Sequence, residues 1–338
     1  MTEREPKPSW DEVPAAMRGK LAAIVGGEIA QAVTVWGGYG PSATFTLTTA
    51  AGKRFFCKGT HPGQTEAGHE ALLTERRNYE TLPEIARFGP AYIGSADHEN
   101  WHMAVLEHIP RRQTVPPWTP DAVEQTLSLL AAFHASAPGR ATEDLRPIAQ
   151  SEMMKHDRGW RFLRDHAEAR DRFIALFQDA LEAARWFDRH IEAFVALEDQ
   201  SSAMGGPVSW LHLDVRSDNL VFAADRRVVL VDWPVLAYGP VLFDLAAFLP
   251  SLEGEGGPAC AEGLRLYERL SRHSFDAADV AKAAADVAGF FAGRAGEPPI
   301  AALPRLRWIQ KLQLFPALRW LASVLEIDPP PLPRASEP

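Results

Sequence analysis

The chain has 338 residues, of which 46% are hydrophobic, and its formal net charge is −9. A chain of this length and composition can bury a large core and is expected to divide into two domains or lobes. The negative charge argues against general nucleic-acid binding, and the two cysteines are too few for a disulfide framework. No stretch approaches the ~20 apolar residues that cross a bilayer, and Met1–Trp10 lacks the apolar centre of a signal peptide, so a cytoplasmic protein without membrane association is expected.

Three strands are predicted near the N-terminus, with a glycine-rich turn between the first two. The strand patterns cover Ala32–Trp36, Ala43–Thr49 and Arg54–Lys58. In the turn, Gly37–Ser42, the missing Cβ atoms let backbone N–H groups approach a phosphate. Gly38, Gly40 and Ser42 are therefore candidate phosphate-binding residues, although the G-x-G-x-x-G spacing is absent and glycine-rich hairpin turns are common.

Lys58 ends the third strand on the same face as Phe56. A lysine held beside aromatic residues can bind the α- and β-phosphates of ATP when a carboxylate orients it. The next predicted element, a helix over Glu70–Leu82, offers Glu75 and Glu70 as that carboxylate. The alternative is that Lys58 is a solvated strand end.

Two further strands are predicted over residues 91–94 and 102–107, after which prolines mark a crossover into a helical region. Helical patterns begin at Asp121, at Ser151 and near Cys260. The predicted division is an N-lobe over 1–108, a C-lobe over 109–326 and a proline-rich, disordered tail over 327–338.

The most informative motif is His212-x-Asp214-x-x-x-x-Asn219, followed by Asp232. An aspartate can accept the proton of a hydroxyl group, while an asparagine and a second aspartate supply the hard oxygen ligands that Mg²⁺ prefers. Arg216, two residues after Asp214, can reach a phosphate that is being transferred and hold it. The alternative is that these residues form an ordinary polar turn before a strand.

The residues between Asn219 and Asp232 predict a hairpin. Leu220–Phe222 and Val228–Val231 have the apolar character of paired buried strands, with a turn between them. Such a hairpin carries Asn219 and Asp232 back to the same end, where both can reach one metal ion.

The motif resembles that of the aminoglycoside phosphotransferase and choline kinase-like enzymes, which are small-molecule relatives of the protein kinases. The match rests on His212, Asp214, Asn219, Asp232 and the segment Gly239–Ala246, and extends more loosely over residues 33–252. The resemblance implies an α+β, two-lobed protein-kinase-like fold, with a small antiparallel-sheet N-lobe and a larger, mainly helical C-lobe.

The resemblance also implies roles for residues of the motif. Asp214 would be the catalytic base, and Asn219 and Asp232 would hold Mg²⁺. His212 would support the catalytic loop from below, and Asp244 would open a helix and brace the same loop.

On the nucleotide side, the resemblance selects Glu75 rather than Glu70 as the partner of Lys58. The main chain near Glu107 and Ile109 would form the hinge that recognises the adenine. ATP is the expected nucleotide, and the sequence does not distinguish it from GTP.

The expected function is ATP- and Mg²⁺-dependent phosphorylation of a small-molecule hydroxyl by a monomer or homodimer. An aminoglycoside-type or other cationic antibiotic is favoured by the resemblance, which would imply antibiotic resistance. The segment from Asp199 to Glu255, with eight acids and three bases, is compatible with a cationic acceptor through Glu253, Glu255 and Asp218. Ordinary solvated loop acids explain these residues equally well. The alternative acceptor is a metabolite alcohol such as choline, homoserine or a sugar.

Other classes of protein fit less well. The eleven residues between Asp232 and Asp244 are too few for the activation segment of a protein kinase, and Trp233 replaces the phenylalanine of D-F-G. His212 and Asp214 with His273 could form the triad of a non-haem iron oxygenase, but the surroundings are helical rather than a β-barrel. A catalytically inactive nucleotide-binding protein remains an alternative.

Overall fold

The computed structural model describes residues 5–136, 146–148 and 157–334. Its helices are α1 Ala15–Val25, α2 Glu66–Thr81, α3 Pro120–Ser136, α4 Trp160–Asp165, α5 Ala167–Ile174, α6 Ala180–Gln200, α7 Leu242–Gly254, α8 Cys260–Ser271, α9 Ala277–Ala295 and α10 Leu306–Val324. Its strands are β1 Ile29–Thr34, β2 Ala43–Thr49, β3 Arg54–Gly59, β4 Tyr92–His98, β5 Trp101–Glu107, β6 Arg111–Gln113, β7 Arg146–Pro147, β8 Val208–Leu211, β9 Leu220–Ala223, β10 Val228–Leu230 and β11 Ala237–Pro240. The start of the helical pattern predicted from Ser151 falls outside the described residues.

The chain forms two compact units. The first contains residues 1–115, 218–235 and 300–305, and the second contains the remainder. Residues 109–115, 218–235 and 300–305 therefore group with the first unit, whereas the division predicted from the sequence places them in the C-lobe. Within the described ranges, no helix combines the length and the apolar character that a membrane span requires.

The first unit is built on a five-stranded antiparallel sheet with the order β1-β2-β3-β5-β4. Alternating side chains of the central strands, including Phe45, Leu47, Cys57 and Val105, are fully buried against one face. Burial of these apolar side chains stabilises the unit and fixes the register of β3, which carries Lys58 opposite Thr44.

Helix α1 covers that sheet and was not predicted from the sequence. Val13, Met17, Leu21 and Val25 are buried in the same apolar cluster as the strands. Within the helix, the spacing of four residues places Met17, Leu21 and Val25 on one face, so the periodic signal was present in the sequence.

Helix α2 begins one turn earlier than the predicted Glu70. Thr65 caps it, because its side-chain oxygen accepts the N–H of Gly68 at 3.2 Å. The cap gives a partner to a backbone N–H of the first turn that has none within the helix, which stabilises a start at Glu66.

The predicted hairpin is formed by β9 and β10, which pair with β6 in a second, three-stranded sheet of the first unit. Leu220 pairs with Leu230, and the N–H of Val231 donates to the carbonyl of Asn219 at 3.0 Å. The residues that flank the hairpin therefore meet at one end.

The second unit is mainly helical, with a short sheet of order β7-β11-β8. Its core is rich in aromatic side chains that are fully buried, among them Trp160, Phe173, Phe194, Phe243 and Phe248. The indole N–H of Trp160 donates to the carbonyl of Ala285 at 2.8 Å, which satisfies its polar group inside the core.

Residues 327–334 of the C-terminal segment contact the second unit, whereas the sequence predicts disorder for 327–338; residues 335–338 lie outside the described residues. The N–H of Gln178 donates to Leu332 at 2.9 Å, and the N–H of Arg334 donates to Leu176 at 2.8 Å. The indole of Trp186 also donates to the carbonyl of Asp328 at 2.9 Å. These backbone partners compensate for the low apolar content from which disorder was predicted.

Candidate active site

In the first unit, Lys58 contacts two carboxylates. Its Nζ lies 2.8 Å from Oε2 of Glu75 on α2 and 2.6 Å from Oδ1 of Asp232 after β10. Glu70 is exposed on the same helix. The α2 carboxylate that contacts Lys58 is therefore Glu75 rather than Glu70, and the two contacts bring together residues from a strand, a helix and a hairpin end.

The charges of this group depend on one another. Burial alone would lower the pKa of Lys58, but the negative charges of Asp232 and Glu75 outweigh burial and raise that pKa. Burial has the largest influence on Glu75 and raises the pKa of its carboxyl, against the opposing charge of Lys58. Lys58 is consequently a fixed positive charge over the physiological pH range.

The backbone next to Asp232 is held on both sides. The N–H of Trp233 donates to Oε1 of Glu75 at 3.2 Å, and Asn78 donates to the carbonyl of Trp233 at 2.7 Å. The Trp233 side chain is fully buried, and its indole donates to the carbonyl of Leu230 at 3.2 Å. Asp232 itself has φ of +72°, a conformation rare outside glycine and frequent at functional sites. The tryptophan thus secures the position of Asp232.

Asn219 and Asp232 lie at the same end of the β9–β10 hairpin, as predicted. One carboxylate and one amide oxygen suit Mg²⁺, which keeps several waters and takes few protein ligands when phosphates complete its shell. Among the described residues, no three His, Cys, Asp or Glu side chains form a group able to hold a metal. The donor set therefore fits a metal that enters together with a phosphate ligand rather than a closed protein site.

The glycine-rich turn lies close to the residues that precede the β9–β10 hairpin. Gly38 has φ of +68°, and a Cβ atom there would lie 3.7 Å from Oδ2 of Asp218, the residue before Asn219. Ser42 accepts a hydrogen bond from Gln64 at 3.0 Å. Gly40 has no positive φ, so a glycine is required by conformation at Gly38 but not at Gly40.

The predicted hinge follows β5. Glu107 is the last residue of that strand, and its side chain accepts the N–H of Ala91 at 3.2 Å. Ile109 lies in the link between β5 and β6. Adenine recognition by this main chain stays a prediction.

In the second unit, Asp244 braces the loop that carries Asp214. Its carboxylate accepts the N–H of His212 at 2.9 Å and the N–H of Leu213 at 2.5 Å, and it lies 3.0 Å from Nε2 of His134. Burial alone would raise the pKa of Asp244, but hydrogen bonding by His134, with the charges of His134 and His212, lowers it. Asp244 therefore remains an anion inside the core, directed at the loop backbone.

The loop presents Asp214 and Arg216 in contact with each other. The guanidinium of Arg216 donates to Oδ1 of Asp214, and both side chains are largely buried. The N–H of Asp214 lies 3.3 Å from Nδ1 of His212, and Leu213 has φ of +59°. The braced, strained backbone holds Asp214 in one orientation.

Two acids that the sequence offered for a cationic acceptor have partners within the second unit. Glu253 accepts a hydrogen bond from Arg319 at 2.6 Å. Glu255 accepts from Ser217 at 2.6 Å and from the indole of Trp118 at 3.0 Å. These contacts correct the expectation that Glu253 and Glu255 are surplus charges, because both carboxylates already have partners within the unit.

The alternative iron triad is not formed. His212 is fully buried beneath the loop, and His273 follows α8. His212, Asp214 and His273 do not form a metal-binding group in the described structure. The oxygenase hypothesis is therefore wrong for this chain.

His134 and Asn78 are supporting residues whose roles were not predicted. Asn78 follows Glu75 by three residues, so helical spacing could have indicated it. His134 is more than one hundred residues from Asp244 in sequence, and only the folded chain brings them together.

Comparisons with known proteins identify the family and the fold of this chain. The family described as "Phosphotransferase enzyme family" matches residues 32–274. No curated protein matches the chain in sequence.

Similar solved structures share the fold at low sequence identity. An aminoglycoside-3'-phosphotransferase of type VIII has 18% identity and a TM-score of 0.53, covering 81% of this chain and 98% of that one. An aminoglycoside phosphotransferase from Alicyclobacillus acidocaldarius has 16% identity and a TM-score of 0.55, covering 90% and 95%. The choline kinase LicA from Streptococcus pneumoniae has 15% identity and a TM-score of 0.56, covering 91% and 98%. The predicted α+β, protein-kinase-like fold is confirmed, and since the family match spans more than half of the chain, this protein belongs to the phosphotransferase enzyme family of small-molecule kinases.

Proposed function

We propose that this protein transfers a phosphoryl group from Mg²⁺-bound ATP to a hydroxyl group of a small molecule. Family membership makes it a small-molecule phosphotransferase, while the nucleotide, the metal and the acceptor belong to the proposal. The observation that carries the proposal is the contact of Lys58 with both Glu75 and Asp232. A half-buried lysine between two carboxylates, beside a glycine-rich turn and a hairpin that begins after Asn219, suits a phosphate-binding and metal-binding role.

The first unit would hold the nucleotide. ATP supplies the phosphoryl group when it is bound, and Mg²⁺ offsets the negative charge of its phosphates. Lys58 would bind phosphate oxygens, with Glu75 keeping its ammonium group oriented. Asn219 and Asp232 would supply oxygen ligands to the metal. The choline kinase LicA has been solved with AMP, and a spectinomycin phosphotransferase of similar fold has been solved with ADP, which supports a nucleotide ligand here.

The second unit would handle the proton of the acceptor. Asp214 accepts that proton as the hydroxyl oxygen attacks, and Asp244 keeps the loop in place through the backbone N–H groups of His212 and Leu213. Arg216 has several N–H donors in a planar fork, so it can keep its contact with Asp214 and still hold a phosphate oxygen. Positioning and charge stabilisation, rather than a covalent intermediate, would provide the rate enhancement.

The acceptor is proposed to be a cationic amino alcohol or amino sugar. The support comes from relatives whose names include aminoglycosides and choline. Glu253 and Glu255 add little to that support, because both already have partners. An uncharged metabolite alcohol would use the same phosphoryl-transfer residues.

A consumption screen tests the proposal. Purified protein is incubated with Mg·ATP and amine-bearing or uncharged alcohols, and phosphorylated products are identified by mass. We expect a product one phosphoryl group heavier from an amine-bearing alcohol, formed at least about 100-fold more slowly by Asp214→Asn. Equal turnover by Asp214→Asn and the parent would overturn the assignment of the base, and a product formed without Mg²⁺ would overturn the metal role.

A further inference from the structure

The N-terminal segment of the first unit is anchored firmly to the sheet. The rings of Trp10 and Phe45 pack edge to face with their centroids 5.2 Å apart, and Val13 and Met17 are buried in the sheet's apolar cluster. Ser9 and Glu12 form a capping box, in which the N–H of Ser9 donates to Glu12 at 2.7 Å. Anchoring of Trp10, Val13 and Met17 on the sheet therefore fixes the position of the residues that precede them, including Lys7.

Lys7, on this segment, reaches the glycine-rich turn. Its Nζ donates to the hydroxyl of Thr44 at 2.8 Å and to the carbonyl of Val35 at 3.2 Å, and it lies 3.5 Å from the carbonyl of Gly37. These three oxygens belong to the two arms of the β1–β2 hairpin. One ammonium group thus ties both arms together at the base of the turn.

Arg305 reaches the same turn from the far end of the sequence. Its Nη2 donates to the carbonyl of Gly38 at 2.6 Å, and its guanidinium lies 4.5 Å from the ring centroid of Tyr39. The same side chain pairs with Glu5, whose exposed fraction is only 2%. A buried carboxylate fixes the arginine, so the contact with Gly38 is built into the fold rather than a chance surface contact.

These contacts define the orientation of two successive peptide groups. In a trans peptide, the C=O and the N–H point in opposite directions. With the carbonyls of Gly37 and Gly38 directed at Lys7 and Arg305, the N–H groups of Gly38 and Tyr39 point away from these cations. Backbone N–H groups on the side of a turn that faces away from bound cations can contribute to an anion-binding surface.

We propose that Lys7 and Arg305 form a loop clamp, a pair of positioning residues that fixes the glycine-rich turn for the phosphates of the nucleotide. This inference rests on the proposed function and adds two residues that the phosphotransferase motif does not contain. The clamp acts through the peptide groups of the turn and does not itself perform chemistry.

The charge of Lys7 supports the proposal and supplies a readout. Burial, followed by repulsion from Lys58, lowers the pKa of Lys7 to about 8, while Glu5 and Asp232 act in the opposite direction and Arg305 adds repulsion. A bound phosphate would favour the charged form, so binding takes up a proton above that pKa. Nucleotide affinity should fall as the pH rises through about 8.

Equilibrium binding of Mg·ADP, followed by calorimetry, tests the clamp without knowledge of the acceptor. We expect Lys7→Met to bind Mg·ADP about tenfold more weakly than the parent at pH 7, because the turn loses its fixed orientation. Lys20→Met is the matched control, since Lys20 donates to the carbonyl of Asp97 at 2.6 Å in the same unit but away from the turn. Its affinity should equal that of the parent.

The pH profile separates positioning from a general effect on the fold. In the parent, the affinity should decline between pH 7 and pH 10 toward the value of Lys7→Met. Lys7→Arg should keep high affinity and lose the pH dependence, because arginine stays charged throughout this range. Arg305, the second cation of the clamp, is tested with the double variant Glu5→Gln and Arg305→Met. Replacing both residues avoids leaving the carboxylate of Glu5 buried without a partner.

The outcomes are distinguishable. Equal Mg·ADP affinity of parent and Lys7→Met, with flat pH profiles in both, would overturn the clamp and leave the proposed function standing. Failure of the parent itself to bind Mg·ADP would overturn the proposed function and, with it, the role of the clamp.

Discussion

The carboxylate of Asp244 lies 3.0 Å from Nε2 of His134, and the side chains are 0% and 3% exposed. The same carboxylate holds the backbone of the loop that carries Asp214. Removing one member of a buried, hydrogen-bonded pair costs about 3–5 kcal/mol, so Asp244→Asn should destabilise the protein by an amount of that order. Urea unfolding at pH 7 measures the change.

The effect of Asp244 should depend on pH. Its pKa is lower in the folded protein than in the unfolded chain, so its contribution is present above about pH 4, the ordinary value for aspartate, and is lost as the pH falls through the lower folded value. The difference between parent and Asp244→Asn should shrink below pH 4. Asp199→Asn, which removes an exposed pair with Arg161, should cost less than about 1 kcal/mol. A constant difference from pH 7 to pH 3 would argue against the ionised state of Asp244.

Asp214→Asn should lower turnover strongly while leaving nucleotide binding intact. Loss of a general base typically lowers kcat by about 10²–10⁴, and the amide keeps the shape of the side chain. Turnover and Mg·ADP affinity are measured on the same preparation. Asp225→Asn, in the hairpin turn where Asp225 pairs with Arg227, is the control and should behave as the parent. A parallel loss of Mg·ADP affinity would point to a binding role for Asp214 instead.

Lys58→Met should weaken nucleotide binding by at least about tenfold, because it removes a fixed positive charge and leaves Glu75 and Asp232 facing each other. Glu75→Gln should have a smaller effect, since Asp232 still contacts the ammonium group. The control is Lys53→Met, because Lys53 lies over the ring of Phe55 in the turn before β3. Unchanged Mg·ADP affinity in Lys58→Met would contradict a phosphate-binding role.

Gly38→Ala should act on the glycine-rich turn through backbone strain. Alanine at a positive φ costs about 1–2 kcal/mol, and relief of that strain would move the turn. Gly52 has φ of +79° in the β2–β3 turn, so Gly52→Ala should destabilise the protein similarly without changing Mg·ADP affinity. Gly40→Ala should change neither the stability nor the Mg·ADP affinity, because Gly40 has no positive φ. Thermal unfolding and Mg·ADP binding of the three variants distinguish strain in general from strain at the turn.

The family, the fold class and the hairpin that joins Asn219 to Asp232 could be predicted from the sequence. In each case the information lies in residues close together along the chain. A strand of apolar residues, a short turn and a returning strand bring their flanking residues to one end whatever the remainder of the chain does. The central strands and α2 were located for the same reason, with errors of a few residues at their ends.

Other features depended on contacts between distant residues. The residue pattern left two glutamates open for Lys58, and the resemblance favoured Glu75. In the folded chain Glu75 lies 2.8 Å from the ammonium group of Lys58, whereas Glu70 is exposed. Glu253 and Glu255 looked like surplus charge until their partners were known, and the final proline-rich segment looked disordered until it met residues 176–178.

By itself, then, the sequence determined which chemical groups this protein carries and how those within one hairpin or one loop are ordered. The tertiary structure alone decided which groups meet. Arg305 and Glu5 are 300 positions apart, and His134 and Asp244 are 110 apart. Local spacing specifies no such pair, because each forms only when apolar burial across a whole unit has already placed both chain segments side by side.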